Sequence, residues 1–189
     1  MKRIVIFASG SGSNAEQIIN YFKNSASIQV IKVLSNKEGA GIFKRCKRLG
    51  VPCELFSRTD FSHSDVVLNQ LKKEADYLIL AGFLWKIPKS IVQAFPNRII
   101  NIHPALLPKY GGKGMYGMHV HRAVKENQEK ETGITIHFVN EHYDDGAIIF
   151  QAKTELESSD SPEDIAQKIH GLEYKHFPRV IEETILKNG

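Results

Sequence analysis

The sequence has little of what cross-links, anchors or grips a polyanion. Of its 189 residues two are cysteine, Cys46 and Cys53, and one is tryptophan. Two thiols at that spacing fit neither a CxxC redox pair nor a metal knuckle, and they cannot build a disulfide framework. They read as reduced, buried or half-buried thiols, and no metal is expected. No apolar run approaches a membrane span. Ile4 to Ala8, behind Met1-Lys2-Arg3, is too short even for the core of a signal peptide. It reads as a buried strand starting almost at residue one, in a cytoplasmic protein with no membrane partner. The 25 lysines and arginines are spread along the chain and leave a net charge of +4. That excess suits a small anionic substrate as well as nucleic acid. What argues against nucleic acid is the lack of a basic run interleaved with aromatics.

Hydrophobic residues make up 42% of the chain, enough to bury a core without staples. The first hundred residues alternate between apolar runs and helical patterns. Strands are expected at 3–8, 28–34, 53–56, 77–81 and 98–102, and helices at 14–23, 41–49, 64–74 and 88–94. Apolar runs that do not alternate mean strands covered on both faces, hence a parallel sheet in a doubly wound α/β fold. The last third changes character. Thr132–Val139 and Ala147–Lys153 form an antiparallel hairpin, and a helix starts after Ser161, with Pro162 in its first turn. With no repeats or linkers, one domain over 1–189 is expected, its two halves being 1–100 and 101–189.

In such a sheet ligands sit beyond the carboxyl ends of the strands, and the unusual segments fall there. Ser9-Gly10-Ser11-Gly12-Ser13-Asn14 separates the first strand from the first helix. Its glycines allow close backbone approach, and the helix-start N–H groups, with Ser13 and Asn14, suit a phosphate. With Ala15 the spacing also matches a dinucleotide fingerprint. That reading needs an acid at the end of the second strand, where the chain has Leu34-Ser35-Asn36-Lys37, and Glu38 falls beyond it. A single phosphate monoester is the better fit.

The segment Asn101-Ile102-His103-Pro104 is more specific. Asn101 and His103 lie two apart, on the same side of a buried strand. Polar groups there are costly unless used. His103 can serve as acid or cation near neutral pH, and the Asn101 amide can donate to a developing oxyanion. A carboxylate nearby would hold the imidazole in its charged form, and Asp144 and Asp145 are the candidates.

Four segments in order carry a resemblance: Ala8–Asn14, Leu80–Leu84, Asn101–Tyr110, and Thr132–Val139 with Asp144-Asp145-Gly146. Over essentially its whole length the chain resembles the folate-dependent phosphoribosylglycinamide formyltransferase family. The resemblance implies a Rossmann-like formyltransferase fold, and formyl transfer from 10-formyltetrahydrofolate to the amine of glycinamide ribonucleotide in purine synthesis. It implies Asn101, His103 and Asp144 as catalytic, with Gly12, Ser13 and Asn14 on the substrate phosphate and Glu173 on the ribonucleotide. Leu84, Trp85, Lys86 and Ile87, together with Asn101, would form one wall of the folate cleft and loop 140–144 the other. Arg58 would lie near the folate tail. A monomer or homodimer is expected.

One departure stands out. Gly111 to Gly117 is longer than the loop of many family members, and its Gly-Lys pair lacks P-loop spacing. His119-x-His121 does not read as a metal pair, because on a helix, if one forms there, residues two apart would point to different faces. Relatives that formylate initiator methionyl-tRNA carry an added C-terminal domain, and formyl-folate hydrolases an added N-terminal one. The chain shows neither, so the nucleotide branch is expected.

Overall fold

The computed structural model describes residues 1–188. In chain order its first half alternates strand and helix: β1 (Lys2–Phe7), α1 (Ser13–Phe22), β2 (Ile28–Ser35), α2 (Gly41–Leu49), β3 (Cys53–Leu55), α3 (Arg58–Ser62), α4 (Val66–Glu74), β4 (Tyr77–Leu80), α5 (Lys89–Ala94) and β5 (Ile99–His103). The second half adds α6 (Met118–Glu126), β6 (Glu131–Phe138), β7 (Ile148–Glu155) and α7 (Pro162–Lys187). All seven strands join one sheet in the order β3-β2-β1-β4-β5-β6-β7. Strands β1 to β5 pair in parallel, whereas β6 runs antiparallel to β5 and β7 antiparallel to β6. This is the doubly wound sheet with a C-terminal hairpin and helix that the patterning predicts.

Strand β1 shows why both faces need cover. Ile4, Val5, Ile6 and Phe7 are all completely buried. Because side chains alternate along a strand, Ile4 and Ile6 enter one core layer with Ile18 of α1, Ile42 of α2 and Phe177 of α7. Val5 and Phe7 enter the other, with Phe61, Val67 and Ile91 of α3, α4 and α5. Among the described residues no helix is long and apolar enough to cross a membrane.

Helix α7 is continuous through Pro178. It starts at a capping box, in which the Ser161 side chain accepts from the Asp164 N–H and Asp164 accepts from the Ser161 N–H. Two helices differ from the sequence reading. The 64–74 pattern begins at Val66, and residues 58–62 form their own turn of helix, capped by Ser57. Residues 118–126 are helical as well, against no expectation of a helix there. The basic residues are also less evenly spread than they read. Lys44, Arg45, Lys47 and Arg48 cluster on α2, where Arg45 and Arg48 both pair with Glu16 of α1.

The β6–β7 connection closes at Gly146, where a Cβ would run into the carbonyl oxygen of Phe138. We predict that Gly146→Ala lowers unfolding stability by about 1–3 kcal/mol, the usual range for overpacking. A denaturation midpoint equal to the parent's would show that the connection can absorb the methyl group.

Candidate active site

The carboxyl ends of β1, β4 and β5 open on a cavity of about 500 Å³. One end is built on the glycine turn. Gly12 sits at φ 77°, a left-handed conformation natural to glycine, and a Cβ there would strike the Ile42 side chain. Helix α1 starts immediately after it with no side-chain cap, so its first N–H groups have no side-chain acceptor. Gly12, Ser13 and Asn14 all line the cavity. Behind them stands Glu173 of α7, 5% exposed. Asn14 Nδ2 donates to Glu173 Oε2 at 2.9 Å, and His170 Nδ1 lies 2.9 Å from the same oxygen. The carboxylate therefore ties the turn to α7. Its hydrogen bond holds the His170 imidazole above the ordinary value of 6.5.

The other end is built on β5. Asn101 and His103 share one side of the strand, as their spacing requires, and both line the cavity. His103 is 3% exposed. Its Nδ1 faces Asp144 Oδ2 at 3.6 Å, and its Nε2 lies 2.7 Å from the carbonyl oxygen of Tyr110. Asp144 sits at φ 52° in the β6–β7 connection, and its Oδ2 also accepts from the Gly112 N–H at 2.9 Å. The other candidate, Asp145, is exposed and accepts from Asn140 instead. The fold thus brings Asn101, His103 and Asp144 together from separate segments, and it joins the long 111–117 loop to Asp144.

The expected folate wall is only partly on this cavity. Leu84 lines it beside Phe83, with Tyr143 from the 140–144 loop. Trp85 instead packs against Phe56, Phe61 and Phe83, with the Arg58 guanidinium 5.2 Å from its ring centre. Lys86 Nζ stands 5.6 Å from the Tyr143 ring centre, while Ile87 is buried in the core. Arg58 and Trp85 therefore belong together, outside the residues that line the cavity.

Sequence reasoning missed several polar groups at the site. His137 of β6 lies opposite Asn101 in the sheet, and its Nε2 is 3.0 Å from Asn101 Nδ2. Thr135 lies opposite His103. Its hydroxyl donates to the Ala105 carbonyl at 2.7 Å and accepts from the Leu107 N–H at 3.0 Å, pinning the chain after the strand. Ser9 Oγ donates to Asn36 Oδ1 at 2.7 Å and accepts from the Leu84 N–H at 3.0 Å, so it joins the ends of β1, β2 and β4. His121 is buried against the cavity, and burial pushes its imidazole below 6.5. Asn14 Oδ1 and His121 Nδ1 are buried with no hydrogen-bond partner among the described residues. Only strand register and tertiary packing could have revealed these roles.

The fold and this polar strand end define a formyl transferase: the model of the formyl transferase family matches residues 2–181, and the chain belongs to that family. Within it the chain groups with the phosphoribosylglycinamide formyltransferases. It is 39% identical over 187 residues to the chloroplastic phosphoribosylglycinamide formyltransferase of Arabidopsis thaliana, covering 95% of this chain and 64% of that protein. It is 33% identical to the phosphoribosylglycinamide formyltransferase of Bacillus subtilis, covering 100% of this chain and 97% of that one. The crystal structure of phosphoribosylglycinamide formyltransferase from Bacillus halodurans superposes with a TM-score of 0.88 at 33% identity, covering 100% and 97% of the two chains. The chain therefore spans just under two thirds of the plant relative's length and nearly all of the bacterial ones.

The His170–Glu173 pair makes a pH prediction. Because the folded value of His170 is raised, its contribution to stability is fully present below about pH 6.5, the unperturbed histidine value. It fades as pH rises through the higher folded value. Glu173→Gln should bring the His170 titration down toward 6.5, followed by NMR of the ring protons. A titration midpoint that does not move in the variant would remove Glu173 as the cause.

Proposed function

We propose that this chain transfers the formyl group of 10-formyltetrahydrofolate to the amine of glycinamide ribonucleotide. One observation carries the reading: the cavity joins a phosphate-type turn at one end to Asn101, His103 and Asp144 at the other. The uncapped first turn of α1, with Ser13 and Asn14, suits a phosphate monoester. The orphaned Asn14 Oδ1 and His121 Nδ1 suit the hydroxyls of a ribose. Phe83, Leu84, Met115 and Tyr143 give the same cavity the apolar surface that a flat pterin ring needs.

The amine attacks the formyl carbon directly, so no serine or cysteine nucleophile is required. A C–N bond forms as charge collects on the formyl oxygen, and collapse breaks the bond to the folate nitrogen. Asn101 donates to that oxygen through its carboxamide, and the protonated His103 places a positive charge beside it. Direct donation from His103 Nε2 requires it to exchange the Tyr110 carbonyl for the formyl oxygen. Asp144 holds the imidazolium and relays the amine proton, through water, to the leaving folate nitrogen.

A dinucleotide-dependent oxidoreductase would share the fold. Against it, β2 ends at Ser35, Asn36 is engaged by Ser9, and Glu38 is exposed beyond the strand.

The direct test follows deformylated folate by absorbance, with and without glycinamide ribonucleotide. Product only in its presence is expected, and none in either case would end the proposal. His103→Ala and Asp144→Asn should each lower turnover at least about a hundredfold, the scale of losing an oxyanion donor or its support. Full activity in either variant would refute its role. Ser13→Ala and Asn14→Ala should act mainly on the KM for the ribonucleotide, and an unchanged KM would remove the phosphate assignment.

A further inference from the structure

We propose that His137 is a positioning residue: as the neutral tautomer protonated at Nδ1, it fixes the Asn101 carboxamide with its NH2 toward the reacting oxygen. The inference deepens the proposed function and rests on it for the oxyanion itself.

His137 Nδ1 lies 2.8 Å from the carbonyl oxygen of Phe138, the next residue of β6. A carbonyl oxygen only accepts, so Nδ1 must carry a proton. In a neutral ring that leaves Nε2 as a lone pair. His137 Nε2 is 3.0 Å from the Asn101 side chain, so the group opposite it must be the NH2, which donates. The flipped carboxamide would set its carbonyl oxygen against the Nε2 lone pair. Relieving that clash by moving the ring proton to Nε2 would leave the Nδ1 lone pair facing the Phe138 oxygen instead. One backbone carbonyl thus decides the tautomer, and the tautomer decides which way the carboxamide points.

His137 is 2% exposed, and burial pushes its imidazole below 6.5. The ionisable groups facing it are Asp144 of the β6–β7 connection, which favours the charged ring, and His103 of β5, which disfavours it. Asp144 Oδ1 stands 3.7 Å from Nε2, too far for a hydrogen bond. The neighbour opposite on β7 is Ile148, which offers no charge. Burial prevails and the ring stays neutral near pH 7.5.

The Asn101 NH2 has two protons. One is used by His137 Nε2, and the other is left for the cavity that Asn101 lines. Without His137 the carboxamide can flip and present its oxygen to a developing oxyanion, which turns a stabilising dipole into a repelling one.

Two measurements test this. Two-bond 1H–15N spectra of the side-chain nitrogens at pH 7.5 should show His137 protonated at Nδ1 only, with the Nε2 resonance shifting in Asn101→Ala. An Nε2-protonated ring, or a doubly protonated one, would overturn the inference. This reading needs no turnover, so it stands apart from failure of the formyl-transfer assay. In kinetics, His137→Leu should lower kcat about 10- to 100-fold with KM for the ribonucleotide changed less than about threefold, as expected for misplacing a reacting group. His137→Gln, whose side-chain oxygen can reach the position of Nε2, should recover at least about tenfold of that loss. In an Asn101→Ala background, His137→Leu should cost less than about twofold, because coupled residues are not additive. A merely structural role would give additive losses and no rescue by glutamine, and either result would overturn the inference.

Discussion

The site depends on one register. β5 is the last parallel strand of the sheet, and β6 pairs with it antiparallel so that Asn101 faces His137 and His103 faces Thr135. Opposite residues of an antiparallel pair share a face, so four polar side chains are gathered on one side of a sheet that is otherwise apolar. Each has a distinct partner: a carboxamide with an imidazole, and a hydroxyl with the turn that follows the strand. A slip of one residue would send His137 and Thr135 to the opposite core layer and leave them unpaired. The ladder is held elsewhere by apolar contacts, because Ile100, Ile102, Ile134 and Ile136 of the same two strands are all buried in one cluster. Hydrophobic burial sets the register, and the register sets the chemistry.

The same pairing explains where Asp144 comes from. β6 ends at Phe138 and β7 begins at Ile148, so the connection must turn back over the end of β5. Gly146 lets the turn close against the Phe138 carbonyl, and Asp144 takes up a left-handed backbone conformation. Aspartate tolerates that conformation better than most residues. Its carboxylate then meets the Gly112 N–H and faces His103, so loop 111–117 and the imidazole compete for one oxygen, Oδ2. The position of that loop and the electrostatics of the strand end thus meet at a single carboxylate oxygen.

Much of this was legible in the residues. The apolar runs gave the parallel strands to within a residue or two, and helix α2 matches its expected bounds of 41–49. The two-residue spacing of Asn101 and His103 placed both on one side of β5 because period two is a property of any strand. His137 was not legible for the same reason. In Thr132–Val139 it reads as one polar residue inside a strand, and only the cross-strand partner, fixed by long-range pairing, tells which polar group it meets. Helix α6 was hidden behind a glycine-rich loop, with no Ser, Thr, Asp or Asn before it to announce a cap. Trp85 and Arg58 were expected near the folate only because the family resemblance implies it. Their packing against each other and against Phe56 and Phe61 is a tertiary outcome that no local pattern encodes.

The two ends of the cavity also answer to different parts of the sheet. After β1 the chain winds outward to β2 and β3 and then returns to β4 on the other side of β1. The loops leaving β1 and β4 therefore part from one another, and the crevice opens at that switch in winding. Ser9 spans it, with one hydroxyl bonded to Asn36 after β2 and to the backbone after β4. The glycine turn is thus anchored from beneath by Ser9 and from behind by Glu173 of α7, while the end that carries Asn101 and His103 is anchored by β6. Between them lies the buried His121, close enough to feel both Glu173 and His103. In the proposed reaction the anionic group falls to the turn end and the developing oxyanion to the strand end of one cavity, and α7, which packs on both β5 and β6, lies behind both.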